Sequence, residues 1–228
     1  MREIIFDTET TGFHPDGGDR ITEIGCIEAI NMIPTGKELH ELINPERDVP
    51  KEVTQITGHT WEMLRDKPKF AAIADSFLEF VGDSILVAHN AKFDMGFINM
   101  ELERAGRTPI HPSRFKDTAV QARERFPGSP ASLDALCKRF EISLESRTKH
   151  GALIDAYLLA EVYLELNGGR ERRLEFRTGM ELDGKIVYPA RPPRPEPFGS
   201  RATEADRAAH AAFIAEMGDG SVWAKLGG

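Results

Sequence analysis

The chain begins with an apolar run, REIIFDTET, that ends in acids and threonines. A second, RITEIGCIEAI, follows after the turn-rich GFHPDGGD. Both are of strand length, and the Pro, Asp and Gly residues between them predict a reversal. A third run, KELHELINP, alternates loosely and completes an expected antiparallel meander. The apolar period then lengthens. In PKFAAIADSFLEFVG the residues Phe70, Ile73, Ala74, Phe77, Phe80 and Val81 recur at helical spacing, and Gly82 stops the pattern. SILVAHN is again a short apolar run of strand length, leading into a helix expected from about Phe93 to Arg104 and stopped by Gly106 and Pro109. Asp117 is placed to cap a helix ending near Phe126, and Ser132 caps another through Phe140. A last helix is expected from about Gly151 to Leu166, before the Gly168–Gly169 pair. A meander of strands, then strands alternating with helices, predicts an α/β domain on a mixed sheet: antiparallel meander plus parallel strands, flanked by helices.

Beyond residue 169 the pattern changes. YPARPPRPEPFGS places five prolines among residues 189–197, which predicts an extended linker with no core of its own. After it, TEADRAAHAAFIAEMG opens with Thr203 as a cap and carries Ala209, Phe213 and Met217 on one face of a short amphipathic helix. The expected organisation is a domain over 1–168, a flexible linker over 169–202 and a docking segment over 203–228.

The totals refine this picture. At 228 residues the chain holds one domain with a substantial core plus an appendage. No run approaches the roughly 18 apolar residues of a membrane span, and the start, MREIIFDTET, is polar, so a cytoplasmic protein without membrane contact is expected. Cys26 and Cys137 are expected as two buried thiols. The net charge is −8; residues 1–168 hold 19 basic against 28 acidic side chains, and residues 169–228 hold 10 against 9. That balance argues against holding nucleic acid by bulk electrostatics. A nucleic-acid substrate would need metal ions or a partner to offset the repulsion.

The acids are the candidate chemistry. In IIFDTETTG, Asp7 and Glu9 stand at i and i+2 of a strand and so share a face. Like charges this close raise each other's pKa and cost stability unless a cation lies between them. VAHNAKFDMGF ends a strand and puts Asp94 in the first turn of a helix; KHGALIDA puts His150 five residues before Asp155 at the start of the last helix. Asp117 reads as a cap. Carboxylates on a first strand and on two helix starts can meet at one sheet edge. Hard oxygen ligands, with no Cys pair and no paired His, point to Mg²⁺ or Mn²⁺ rather than zinc. Two such ions are a known arrangement for displacement at phosphodiesters, and an imidazole suits the general base.

FDTETTG, HNAKFDMGF and HGALIDA resemble, in order and spacing, the three motifs of the DEDD exonucleases, in the subclass whose histidine precedes the last aspartate by five. The resemblance covers residues 1 to about 168 and implies a ribonuclease H-like fold. It implies that Asp7, Glu9 and Asp155 hold one metal, Asp7 bridging to a second, with Asp94 in support and His150 as the base. The reaction implied is 3′→5′ hydrolysis releasing nucleoside 5′-monophosphates. Thr10 is then expected to contact the terminal nucleotide. KEVTQITGHT resembles the family's terminal-nucleotide pocket, with Glu52 and Thr57 at matching places; relatives often carry histidine where Thr57 stands, and here His59 lies two residues later.

The tail resembles that of proofreading exonucleases of bacterial DNA polymerase III, in which a flexible linker leads to a segment docking on the polymerase (alpha) subunit. Phe213, Trp223 and Leu226 are the expected anchors, and ERRLEF resembles a degenerate sliding-clamp peptide anchored by Leu174 and Phe176. The implied substrate is a frayed or single-stranded DNA 3′ end. Two alternatives stand beside this: a free-standing exoribonuclease of the same fold, and a catalytically silent adaptor, which predicts a missing acid or histidine where none is missing.

Overall fold

The computed structural model describes residues 1–144, 149–169, 180–182, 185–187 and 202–217. The expected meander is present as β1 (Arg2–Thr10), β2 (Ile21–Ile30) and β3 (Ile33–Leu42). β3 begins earlier than its loose alternation suggested, because it is an exposed edge strand and little apolar pattern is required of it. Two short helices, α1 (Lys51–Thr57) and α2 (Trp61–Leu64), follow; neither is long enough to show an apolar stripe in sequence. Then come α3 (Phe70–Val81), β4 (Ile85–Ala88), α4 (Ala91–Arg104), β5 (Phe115–Asp117), α5 (Thr118–Arg125), α6 (Leu133–Arg139) and α7 (Ala152–Leu166).

The sheet runs β3-β2-β1-β4-β5. β1 pairs antiparallel with β2 and parallel with β4, and β4 pairs parallel with β5, so the sheet is mixed as expected. β1 is central and buried on both faces. Ile4 and Phe6 pack with α3 and α4 residues such as Phe70, Phe77 and Phe97, whereas Ile5 packs with Leu159, Ala160 and Tyr163 of α7. Alternation along a pleated strand thus assigns even positions to the α4 side and odd positions to the α7 side. Each fully buried Phe or Leu contributes about 1.5–3 kcal/mol by leaving water.

Helix α7 is apolar nearly all round because it is covered twice. Leu159 and Tyr163 face the sheet, while Leu158, Val162 and Leu166 pack with Ala122, Leu136 and Cys137 of α5 and α6. On the other side Arg20 grips Glu101 of α4, with Nε 2.5 Å from Oε1 and Nη2 2.9 Å from Oε2, a bidentate pair that fixes α4 against the start of β2. Asp117 caps α5, its Oδ1 accepting from the Ala119 and Val120 N–H groups, and Ser132 caps α6. Both cysteines are free and buried.

Chain contacts divide the protein into Met1–Arg173 and Leu174–Gly228. In the second unit β6 (Met180–Leu182) and β7 (Lys185–Val187) pair antiparallel within the stretch expected to be a flexible linker. Helix α8 (Glu204–Met217) opens on a reciprocal cap: Asp206 N–H donates to Thr203 Oγ1, and Thr203 N–H and Oγ1–H donate to Asp206 Oδ2. Phe213 is exposed on it. Leu174, Phe176, Trp223 and Leu226 lie outside the described residues.

Candidate active site

The site stands where β1 runs past the end of β4. On the odd face of β1, Asp7 and Glu9 follow Ile5, and the register sets Asp7 opposite Gly25 and Glu9 opposite Glu23. Gly25 is why a helix can reach them. A Cβ at Gly25 would lie 2.2 Å from Leu153 N and 2.4 Å from the Ala152 carbonyl carbon, so the first turn of α7 rests directly on the β2 backbone. This seat delivers Asp155. Glu9, His150 and Asp155 each offer a ligand atom within 4.8 Å of the others. His150 Nδ1 lies 3.3 Å from Asp155 Oδ2; the imidazole is half exposed and the carboxylate is buried. Asp7 lies one pleat before Glu9 on the same face, and its charge, after burial itself, pushes the Cys26 thiol up.

Asp94 arrives from the opposite face. The chain leaves β4 through Asn90, whose left-handed backbone (φ 68°, ψ 48°) turns the strand sharply into α4; asparagine tolerates that conformation better than most residues. Asp94, in the first turn, is 2% exposed and accepts a hydrogen bond of 2.7 Å from Thr8 Oγ1. Burial pushes the Asp94 carboxyl up to about 7, although Thr8 and the backbone N–H groups of Asp94 and Thr8 favour its charged form. A buried carboxyl poised this way ionises when a cation comes close.

The donor set suits a divalent cation: clustered carboxylate oxygens, one imidazole and no thiolate. Of the residues expected to contact substrate, Thr10 is buried and its hydroxyl donates to the Gly12 carbonyl. Glu52 is exposed in the first turn of α1. Thr57 is buried; its hydroxyl donates to Val53 O and accepts from His59 N–H, so it serves the local backbone. His59 is buried. It is 5% exposed, with Nδ1 3.1 Å from Thr22 Oγ1 and Nε2 3.2 Å from Glu23 Oε2, because the turn after α1 folds it against the start of β2.

Sequence reasoning missed Thr8 and Gly25. Thr8 sits between the two acids and reads as a strand former. Gly25 did leave a signal: glycine inside a strongly apolar strand marks the close approach of another backbone.

A central mixed sheet, two helices bringing acids to the end of its middle strand and a carboxylate–imidazole cluster there define a nuclease-type site. The RNase_T family model, described as Exonuclease, matches residues 4–163, and the chain belongs to that family. The curated relatives narrow the group. The chain is 55% identical over 174 residues to the DNA polymerase III subunit epsilon of Rickettsia conorii, covering 75% of this chain and 76% of the relative. To the subunit of the same name from Escherichia coli it is 44% identical over 176 residues, covering 74% and 72%. Among solved structures, exonuclease X in complex with 5′ overhanging duplex DNA aligns with a TM-score of 0.57 and 27% identity, over 72% of this chain and 89% of that one. The E. coli exonuclease I complex with single-stranded DNA shares the fold, with a TM-score of 0.62 at 20% identity over 73% and 41%. The fold is ribonuclease H-like, as the motifs implied.

Proposed function

We propose that this exonuclease removes mispaired nucleotides from DNA 3′ ends, working 3′→5′ as the proofreading subunit of a bacterial DNA polymerase III. The observation that carries the reading is the cluster of Glu9, His150 and Asp155 beside Asp7, on the strand face that the start of α7 reaches. Relatives named DNA polymerase III subunit epsilon support the setting.

In this reading Asp7, Glu9 and Asp155, with Asp94 in support, hold two Mg²⁺ or Mn²⁺ ions. When bound, such ions neutralise the scissile phosphate and the developing charge on the leaving oxygen. His150, half exposed and oriented through Nδ1 toward Asp155, takes a proton from the incoming water. Thr10, Glu52 and Thr57 border the terminal nucleotide through the backbone and surface they shape. An acidic domain binds DNA weakly by itself, so tethering raises the local concentration of the primer end without a basic surface. The tail does this by docking on the polymerase alpha subunit through Phe213, Trp223 and Leu226, while Leu174 and Phe176 engage the sliding clamp.

The test is Mg²⁺-dependent degradation of 5′-labelled single strands of DNA and RNA by the full chain and by a truncation after Gly168, each with and without the polymerase subunit. DNA should shorten from its 3′ end, with the polymerase stimulating only the full chain. Strong preference for RNA with no effect of the polymerase would sink the proofreading role and leave the nuclease chemistry standing.

A further inference from the structure

Behind the acids, three segments meet on one buried side chain that the proposed chemistry does not use. Glu23 stands opposite Glu9 in the β1–β2 register and is 5% exposed. Its Oε1 lies 2.6 Å from His40 Nε2 on β3, and its Oε2 lies 3.2 Å from His59 Nε2 after α1. Burial opposes the charge on Glu23, but His59, His40 and the Ala152 backbone N–H outweigh it, so its carboxyl lies below the ordinary range. Gly151 is the N-cap of α7, and the carboxylate lies against it: a Cβ there would stand 3.9 Å from Glu23 Oε2 and 4.0 Å from Oε1. The same loop holds the chain just before α7 a second time. His150 N–H donates to Ile56 O at 3.2 Å, and a Cβ at Gly58 would meet the Lys149 side chain at 3.0 Å.

We propose that Glu23 and His59 form a positioning brace for His150: the carboxylate packs against the start of α7, and His59 couples it to the α1–α2 turn that holds His150 through Ile56. The hydrogen bond to Ile56 and the packing of Glu23 at Gly151 both bear on His150 and its neighbour and restrict how that segment can turn. The brace also accounts for a buried histidine at a place where the pocket needs none. His59 contacts Thr22 and Glu23, and the substrate side is left to the surface around Glu52 and Ile56. A general base displaced by about 1 Å loses rate on the order of 10²-fold, so holding it is a function in its own right. The catalytic part of this inference rests on the assignment of His150 as the base; the geometric part does not.

The test compares His59→Leu, His59→Gln and Glu23→Gln in the full chain, with kcat and KM on 5′-labelled single-stranded DNA in Mg²⁺ and hydrogen exchange of the peptide covering residues 149–157. Glutamine at 59 can place its amide nitrogen near the position of Nε2 and leucine cannot. His59→Leu and Glu23→Gln are expected to lower kcat roughly ten-fold or more with KM within two-fold, and to speed exchange at 149–157 but not in β1. His59→Gln should stay within about three-fold of the parent on both readouts. Unchanged exchange in His59→Leu, or equal losses in the leucine and glutamine variants, would overturn the brace. Faster exchange with unchanged kcat would instead overturn the role given to His150.

Discussion

Two helices carry acids into the site, and they are seated in opposite ways. Helix α7 lies on the odd face of β1 and is located by backbone packing: Gly25 lets its first turn touch β2, and Asp155 reaches Glu9 and His150 as a result. Helix α4 lies on the even face and is located by a polar bond: Asp94, fully buried, accepts from Thr8 Oγ1. One strand therefore presents Asp7 and Glu9 on one face and steadies Asp94 with the residue between them. The difference separates two kinds of fragility. The α7 corner fails when steric fit is lost, whereas the α4 corner responds to charge.

The largest expected effect comes from the strand itself. Asp7→Ala should lower nuclease activity by about a thousand-fold, with little loss of folding stability because it relieves crowding of carboxylates. Activity on labelled single-stranded DNA and a urea unfolding curve check both halves, and a variant that unfolds would count against the metal-site reading. Next comes the α7 seat. Gly25→Ala should cost about 1–3 kcal/mol of stability and roughly 100-fold in activity, since α7 must back away from the strand that holds Asp7. Parental activity in that variant would break the contrast, because the helix would then be free to shift without consequence.

The smallest effect is one of pH, at the α4 corner. The Asp94 carboxyl sits near 7 in the folded protein against 3.8 ordinarily, so the metal-free folded state holds its proton in preference to the unfolded one. The stability linked to this group is full below the ordinary value, falls as pH rises toward 7, and is lost above it. Asp94→Asn, measured in chelator, should therefore be more stable than the parent at pH 8 and nearly equal to it at pH 4. Adding Mg²⁺ should reverse the order at pH 8. Equal stability of the two proteins at both pH values without metal would show that Asp94 is not held as a buried neutral acid.

Much of the fold was legible because its signals are local. The alternation in IIFDTET, the helical spacing from Phe70 to Val81, the caps at Asp117 and Ser132 and the glycine stops at Gly82 and Gly168 each depend on a handful of adjacent residues. The elements that escaped notice, α1, α2, β5 and the β6–β7 pair, are too short for a period to emerge. The sequence by itself also determined the donor types of the proposed site, since Asp7, Glu9, Asp94, His150 and Asp155 offer carboxylate oxygens and one imidazole. Tertiary structure alone decided how these residues meet. Which face of β1 each helix covers, that Gly25 admits α7, that Thr8 steadies Asp94 and that His59 is buried against Glu23 all depend on contacts between segments far apart in the chain. Such contacts follow from packing and steric exclusion among the assembled layers, and no stretch of neighbouring residues records them.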